Sequence, residues 1–135
     1  VRLVADANVL LSAVLGGGAA RVLRHPRVEA VLAAAPVLEE VHEYAVSLAR
    51  KKRLQVDTVL TAVVSLPVIV VDRSAYVGSI REAERRIAKR DPDDVETLAL
   101  AIHLSIPVWS NDDDFKGTGV TWYTTARLLA ALDAR

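Results

Sequence analysis

Short apolar runs alternate with longer amphipathic stretches along the chain. Val1 to Ala5 reads as a buried strand that breaks at Asp6-Ala7-Asn8, after which apolar character resumes at Val9-Leu10-Leu11. Gly16-Gly17-Gly18 predicts a flexible loop, Ala19 to Leu23 a short helix ending near His25-Pro26, and Val28 to Ala34 either a second strand or a helical piece. Pro36 suits the first turn of a helix, in which Val37, Val41, Tyr44 and Leu48 recur at helical spacing until the basic run Arg50-Lys51-Lys52-Arg53. Val56 to Leu66 reads as another helix, Val68 to Val71 as a β-branched strand, and Ile80 to Lys89 as a charged amphipathic helix. Asp91-Pro92 opens a further helix with the stripe Val95, Leu98, Ala99, Ile102, followed by strands at Pro107 to Trp109 and Val120 to Tyr123 and a helix at Ala126 to Leu132. No repeat, linker or low-complexity segment interrupts this alternation. It predicts an α/β fold, a three-layer α/β/α sandwich around a mostly parallel sheet.

With 135 residues, 52% of them hydrophobic, the chain suits one compact domain over 1–135. Its 17 basic and 17 acidic side chains cancel, so attraction to a polyanion has to come from local patches. There is no cysteine to form a disulfide or act as a nucleophile, no apolar run of about 18 residues, and no basic-apolar-small pattern of an export signal. A cytoplasmic location is the expectation.

Acids end two of the strand-like runs: Asp6 after Leu3-Val4-Ala5, and Asp112-Asp113-Asp114 after Val108-Trp109. Carboxylates at the carboxyl ends of buried parallel strands are positioned for a metal site. At about 100° per residue, Glu40 falls roughly 70° from the centre of its helix's apolar stripe, and Glu39 and Glu43 point toward solvent. By the same count Asp94 lies roughly 90° from the centre of the Val95/Leu98/Ala99/Ile102 stripe, and Asp93 faces away. Asp6, Glu40, Asp94 and Asp112 are thus four acids at the border of core and water, on four different elements. Gathered together they repel one another, and a divalent cation removes that conflict. All-oxygen donors suit Mg²⁺ or Mn²⁺ rather than zinc, and His25, His42 and His103 show no ligand spacing. Such a site suits hydrolysis of phosphodiesters.

The series Asp6-x-Asn8-Val-Leu, Leu38-Glu-Glu40-Val, Asp91-Pro-Asp-Asp94 before Leu98-Ala-Leu-Ala, and Trp109-Ser-Asn-Asp112-Asp-Asp-Phe115 resembles the PIN-domain nucleases over nearly the whole chain. The resemblance implies a Mg²⁺- or Mn²⁺-dependent endoribonuclease, frequently the toxin of a toxin-antitoxin pair and frequently a homodimer. It carries the metal-binding acids onto Asp6, Glu40, Asp94 and Asp112, and the supporting polar positions onto Asn8, Ser110 and Asp114. Glu39 beside Glu40 and Asp113 beside Asp112 leave the register open by one residue.

Structural roles compete with each assignment. Asp6 can end a strand in a turn, Glu40 can be a solvated helix acid, and Asp91 reads as an N-cap with Pro92 at the first helical position rather than as a ligand. Three basic groups could meet RNA: Arg21, Arg24 and Arg27; Arg50 to Arg53; and Arg81, Arg85, Arg86, Lys89 and Arg90. The last group can instead pair with Glu82 and Glu84. Trp109 and Trp122 sit in strand-like runs and read as core rather than as base-stacking surfaces. The glycine run lacks the Lys-Ser/Thr of a phosphate loop, and no Gly-x-Ser-x-Gly elbow is present. The remaining alternative to an enzyme is a nucleic-acid or protein-binding module on the same fold. Apolar surface on the Val56 to Leu66 helix is a candidate dimer contact.

Overall fold

The computed structural model describes residues 1–134. In chain order they form β1 (Arg2–Ala5), α1 (Ala7–Val14), α2 (Gly17–Arg24), β2 (Ala30–Ala34), α3 (Ala35–Lys51), α4 (Val56–Val64), β3 (Ile69–Val71), α5 (Arg73–Tyr76), α6 (Ile80–Ile87), α7 (Val95–Leu104), β4 (Val108–Trp109), β5 (Trp122–Tyr123) and α8 (Thr125–Asp133). The strands make one sheet in the order β3-β2-β1-β4-β5, and every neighbouring pair is parallel. Parallel neighbours need crossover connections, and right-handed crossovers place the helices between β1 and β3 on one face and α5 to α7 on the other. The α/β/α sandwich read from the alternation is therefore the fold observed.

The central strand explains itself. Leu3, Val4 and Ala5 are fully buried, as suits a strand covered on both faces. The chain order turns back at β1, because β2 and β3 extend to one side and β4 and β5 to the other. This switch point opens a crevice at the carboxyl ends of β1 and β4, where Asp6 and Ser110 emerge side by side.

Several local expectations shift. Gly17 and Gly18 belong to α2, and only Gly16 lies outside it as its N-cap, with φ of +95°. At Gly18 the missing Cβ leaves room for α8, since a Cβ there would press within 3.3 Å of Thr125. Val28 to Ala34, ambiguous in sequence, is a strand from Ala30 onward. On α3 the inward stripe is Val37, Val41, Ala45 and Ala49, whereas Tyr44 is 54% exposed. Two alanines let α1 and α4 pack close against this helix, which displaces the larger ring to the rim. Trp109 is wholly buried, but Trp122, expected in the core, lies on edge strand β5 and keeps part of its ring in solvent. Across the other face α7 packs on β1, β2 and β4, with Leu98, Ala99 and Leu100 fully buried. Among the described residues no helix is long and apolar enough to cross a membrane.

Candidate metal centre

Asp6 ends β1 and also starts α1. Its Oδ1 accepts the Ala7 amide at 2.8 Å, which caps the helix, and its Oδ2 accepts the Ser110 hydroxyl at 2.9 Å and the Asn8 side-chain amide at 3.3 Å. Burial pushes the Asp6 carboxyl upward, the bonds from Ser110 and Ala7 oppose the shift, and the charges of Asp112 and Asp91 add to it. Asn8 also donates to the Ser110 hydroxyl at 3.1 Å and accepts the Asn111 amide at 3.1 Å, while Asn111 accepts the Thr125 amide at 2.8 Å. Both asparagines of the chain thus tie the ends of β1, β4 and β5 into one frame.

Two short 3₁₀ turns bring in the other acids. In Pro92–Asp94, Asp91 is the cap, its Oδ1 accepting the Asp93 amide at 2.9 Å; in Asp113–Phe115, Asp112 is the cap, its Oδ1 accepting the Asp114 amide at 3.0 Å. One carboxylate oxygen from each of Asp91, Asp94, Asp112 and Asp114 lies within 4.8 Å of the other three. Side chains three apart eclipse in a 3₁₀ turn, which is how Asp91 and Asp94 come together. Asp94 is only 5% exposed and its Oδ2 has no hydrogen-bond partner. Burial first, then the charges of Asp6, Asp91, Asp112 and Asp114, push its carboxyl up to about 8. Asp114 is also raised, by desolvation and by Asp112 beside it.

Glu40 lies outside this set of four. It is half-buried on the second turn of α3, facing a cleft shared with Glu43, Asp93 and Glu96. Its carboxyl is raised by burial and then by the charge of Asp6, Asp93, Asp91 and Glu43. Of the neighbouring acids that left the register open, Glu39 and Asp113 are exposed. Asp94, Asp112 and Asp114 are therefore gathered, Asp6 adjoins them through Ser110, whose hydroxyl also accepts the Asp112 amide at 3.1 Å, and Glu40 flanks them. Asp91, read from sequence as a cap alone, is both cap and member of the group. Its spacing of three from Asp94 is the signal that would have found it.

The residues fit a hard divalent cation. An unpartnered, buried carboxylate oxygen inside a group of four carboxylates is a costly arrangement in isolation, and an oxygen-seeking cation supplies the missing partner.

Cations elsewhere hold the frame together. Arg90, next to Asp91, donates from Nη1 to the Asp114 carbonyl at 2.8 Å and to the Lys116 carbonyl at 2.5 Å, and Arg86 donates to the Thr118 carbonyl at 3.0 Å. Gly119, with φ of +84°, passes so near the Arg86 guanidinium that a Cβ would come within 3.3 Å of it. At the start of α7, Glu96 accepts both Tyr76 Oη and Arg73 Nε at 3.0 Å. Arg27 donates to the Leu132 and Ala134 carbonyls and Arg21 pairs with Asp133 at 3.5 Å, so this group braces the end of α8. Arg50 lies ten residues beyond Glu40, about 15 Å along the helix and away from the acids.

A parallel sheet with acids gathered at its switch point defines the class of molecule, and comparison supplies the family. The PIN domain profile matches residues 4–133, and the chain belongs to the PIN-domain family of nucleases. Three solved structures share the fold. VapBC2 from Rickettsia felis, bound to a DNA fragment from its promoter, aligns with a TM-score of 0.71 at 18% identity over 92% of this chain and 98% of that one. A toxin-antitoxin complex from Klebsiella pneumoniae gives 0.63 at 16% identity, covering 91% and 97%. VapC20 from Mycobacterium tuberculosis, a toxin that cleaves the sarcin-ricin loop, gives 0.61 at 17% identity, covering 88% and 96%. No curated protein matches the chain.

Proposed function

We propose that this chain is a divalent-metal-dependent endoribonuclease and the toxin of a toxin-antitoxin pair. The observation that carries the reading is Asp94, which keeps a buried oxygen without a partner and brings a carboxylate oxygen within 4.8 Å of those of Asp91, Asp112 and Asp114. In this reading Asp94, Asp112, Asp91 and Asp114 hold Mg²⁺ or Mn²⁺, and Asp6 and Glu40 complete the acidic wall. A hard divalent ion bound there supplies neutralisation of charge building on the scissile phosphate and lowers the pKa of a water.

The chain's own residues do the positioning. Ser110 and Asn8 fix the Asp6 carboxylate from one side while the Ala7 amide fixes it from the other, so the acidic wall is oriented before a cation or substrate arrives. Arg90 holds the Asp114 turn by its carbonyls and leaves the carboxylates free to face inward. An antitoxin as partner is supported by the two structurally similar complexes, and RNA as substrate by the cleaving toxin among the neighbours. We include a homodimer in the proposal, because Val64 on α4 and Ile69 and Val70 on edge strand β3 leave 76%, 54% and 54% of their surfaces exposed. Light scattering of the purified chain measures that mass.

RNA cleavage with Mg²⁺ or Mn²⁺, lost on chelation and in Asp6→Asn and Asp112→Asn variants that keep the wild-type circular dichroism, is the expected result. Cleavage unchanged in both variants contradicts the site. RNA binding without cleavage under either metal replaces the enzyme with a binding module.

A further inference from the structure

Of the basic residues legible in the sequence, Arg21, Arg27, Arg85, Arg86 and Arg90 brace the structure, and the run Arg50 to Arg53 lies away from the acids. One constellation at the edge of the frame carries a guanidinium with no carboxylate partner among the described residues. Arg127, exposed on the first turn of α8, places its guanidinium 5.6 Å from the Trp122 ring centroid and 5.8 Å from that of Tyr123. Both rings lie on edge strand β5 and are partly exposed, and among the described residues no carboxylate pairs with Arg127. An edge aromatic pair with an unneutralised guanidinium offers π faces for bases and a charge for phosphate.

The constellation is rigidly linked to the acids. Trp122 Nε1 donates to the Ser110 carbonyl at 2.8 Å, and the Ser110 hydroxyl donates to Asp6. Thr124 caps α8 by accepting the Arg127 amide at 3.2 Å, and the next residue, Thr125, donates its amide to Asn111, one residue before Asp112. Trp109 Nε1 donates to the Thr125 hydroxyl at 3.0 Å and fixes the same turn from below. Residues on the rim of the sheet are thereby held in register with the acidic turn through bonded neighbours.

We propose that Trp122, Tyr123 and Arg127 form a substrate subsite that stacks an unpaired base of single-stranded RNA and contacts the adjoining phosphate, beside the acids that cut the chain. This rests on the nuclease reading for its place in the reaction but not for its test, which needs no cleavage.

The probe is a fluorescently labelled single-stranded oligouridylate, titrated with the full chain in EDTA so that nothing is cut. Trp122→Leu removes the ring and is expected to weaken binding about tenfold, with Arg127→Gln weakening it severalfold. Trp122→Phe keeps a stackable ring and loses the N–H to Ser110, so it is expected to bind within about twofold of wild type. Arg127 is exposed, so its variant reports even where the Trp122 variants lose stability. Equal losses in the Phe and Leu variants assign Trp122 to holding the loop and overturn the subsite. Wild-type binding by Trp122→Leu or Arg127→Gln, or no binding of the oligonucleotide by the wild type, also overturns it. RNA bound through Trp122 but never cut with Mn²⁺ removes the nuclease reading and leaves the subsite; cleavage with no dependence on Trp122 or Arg127 does the reverse.

Discussion

The Pro92–Asp94 and Asp113–Phe115 turns are built to one plan and filled differently. Each is a single 3₁₀ turn capped by an aspartate that accepts the amide two residues on. Each sends its third residue inward, and there they part. Phe115 is fully buried in the hydrophobic core, whereas Asp94 is 5% exposed and leaves one carboxylate oxygen without a partner. An apolar ring in that position contributes stability by leaving water. A carboxylate there costs stability, and the cost is relieved by a bound cation. Both turns contribute acids to the group of four, and the comparison separates a third residue that anchors its turn in the core from one that joins the acids.

The sharpest way to break the comparison is to neutralise the buried acid. Asp94→Asn is expected to lower Mn²⁺-dependent RNA cleavage by about a hundredfold or more, with the far-ultraviolet spectrum unchanged. Retained cleavage removes Asp94 from the site. Loss of the anchoring ring acts first on stability: Phe115→Ala is expected to cost about 3–5 kcal/mol in urea unfolding, a loss that Asp94→Asn does not share. Full stability in Phe115→Ala would remove its anchoring role.

Acidity sharpens the comparison further. Burial and the surrounding acids push the Asp94 carboxyl up to about 8, against about 3.9 for an unfolded aspartate, so the folded state holds the proton more tightly. Its contribution to stability is therefore most favourable below the unfolded value, falls as pH climbs from about 4 to about 8, and levels off above. Asp6, Glu40 and Asp114 shift in the same direction. Urea midpoints in EDTA are expected to fall over this range and in saturating Mn²⁺ to fall much less; matching slopes in the two conditions contradict the site. The smallest expected effect belongs to Arg90→Gln, which frees the Asp114 carbonyl and is expected to weaken Mn²⁺ binding about tenfold by calorimetry, while a surface-type effect near zero would exclude a positioning role.

Much of this was legible in the sequence for physical reasons that also explain the rest. Asp6 and Asp112 follow apolar runs, and a carboxylate at a buried strand's end has only the crevice to enter. Helical phase separated buried Asp94 from exposed Asp93, and half-buried Glu40 from exposed Glu39. Asp91 was hidden because capping already explained it, and a cap uses only one of its two oxygens. Tyr44 was misplaced because periodicity ranks large apolar side chains above alanine, although Ala45 and Ala49 are what close helix packing requires. Trp122 packs against the core yet is only partly buried, because a strand's apolar composition does not state whether it lies at the sheet's edge. The link between β5 and the acids runs through Asn111 and Thr125, a contact between segments fourteen residues apart that no local pattern displays.

Calorimetric titration of the metal-free chain with Mn²⁺ at pH 7, repeated in buffers of different ionisation enthalpy, tests the central claim most directly. The account predicts binding accompanied by proton release, because Asp94 gives up its proton to become a ligand, and predicts that Asp94→Asn lowers that release. Absence of Mn²⁺ binding, or binding with the same proton release in the variant, would contradict it.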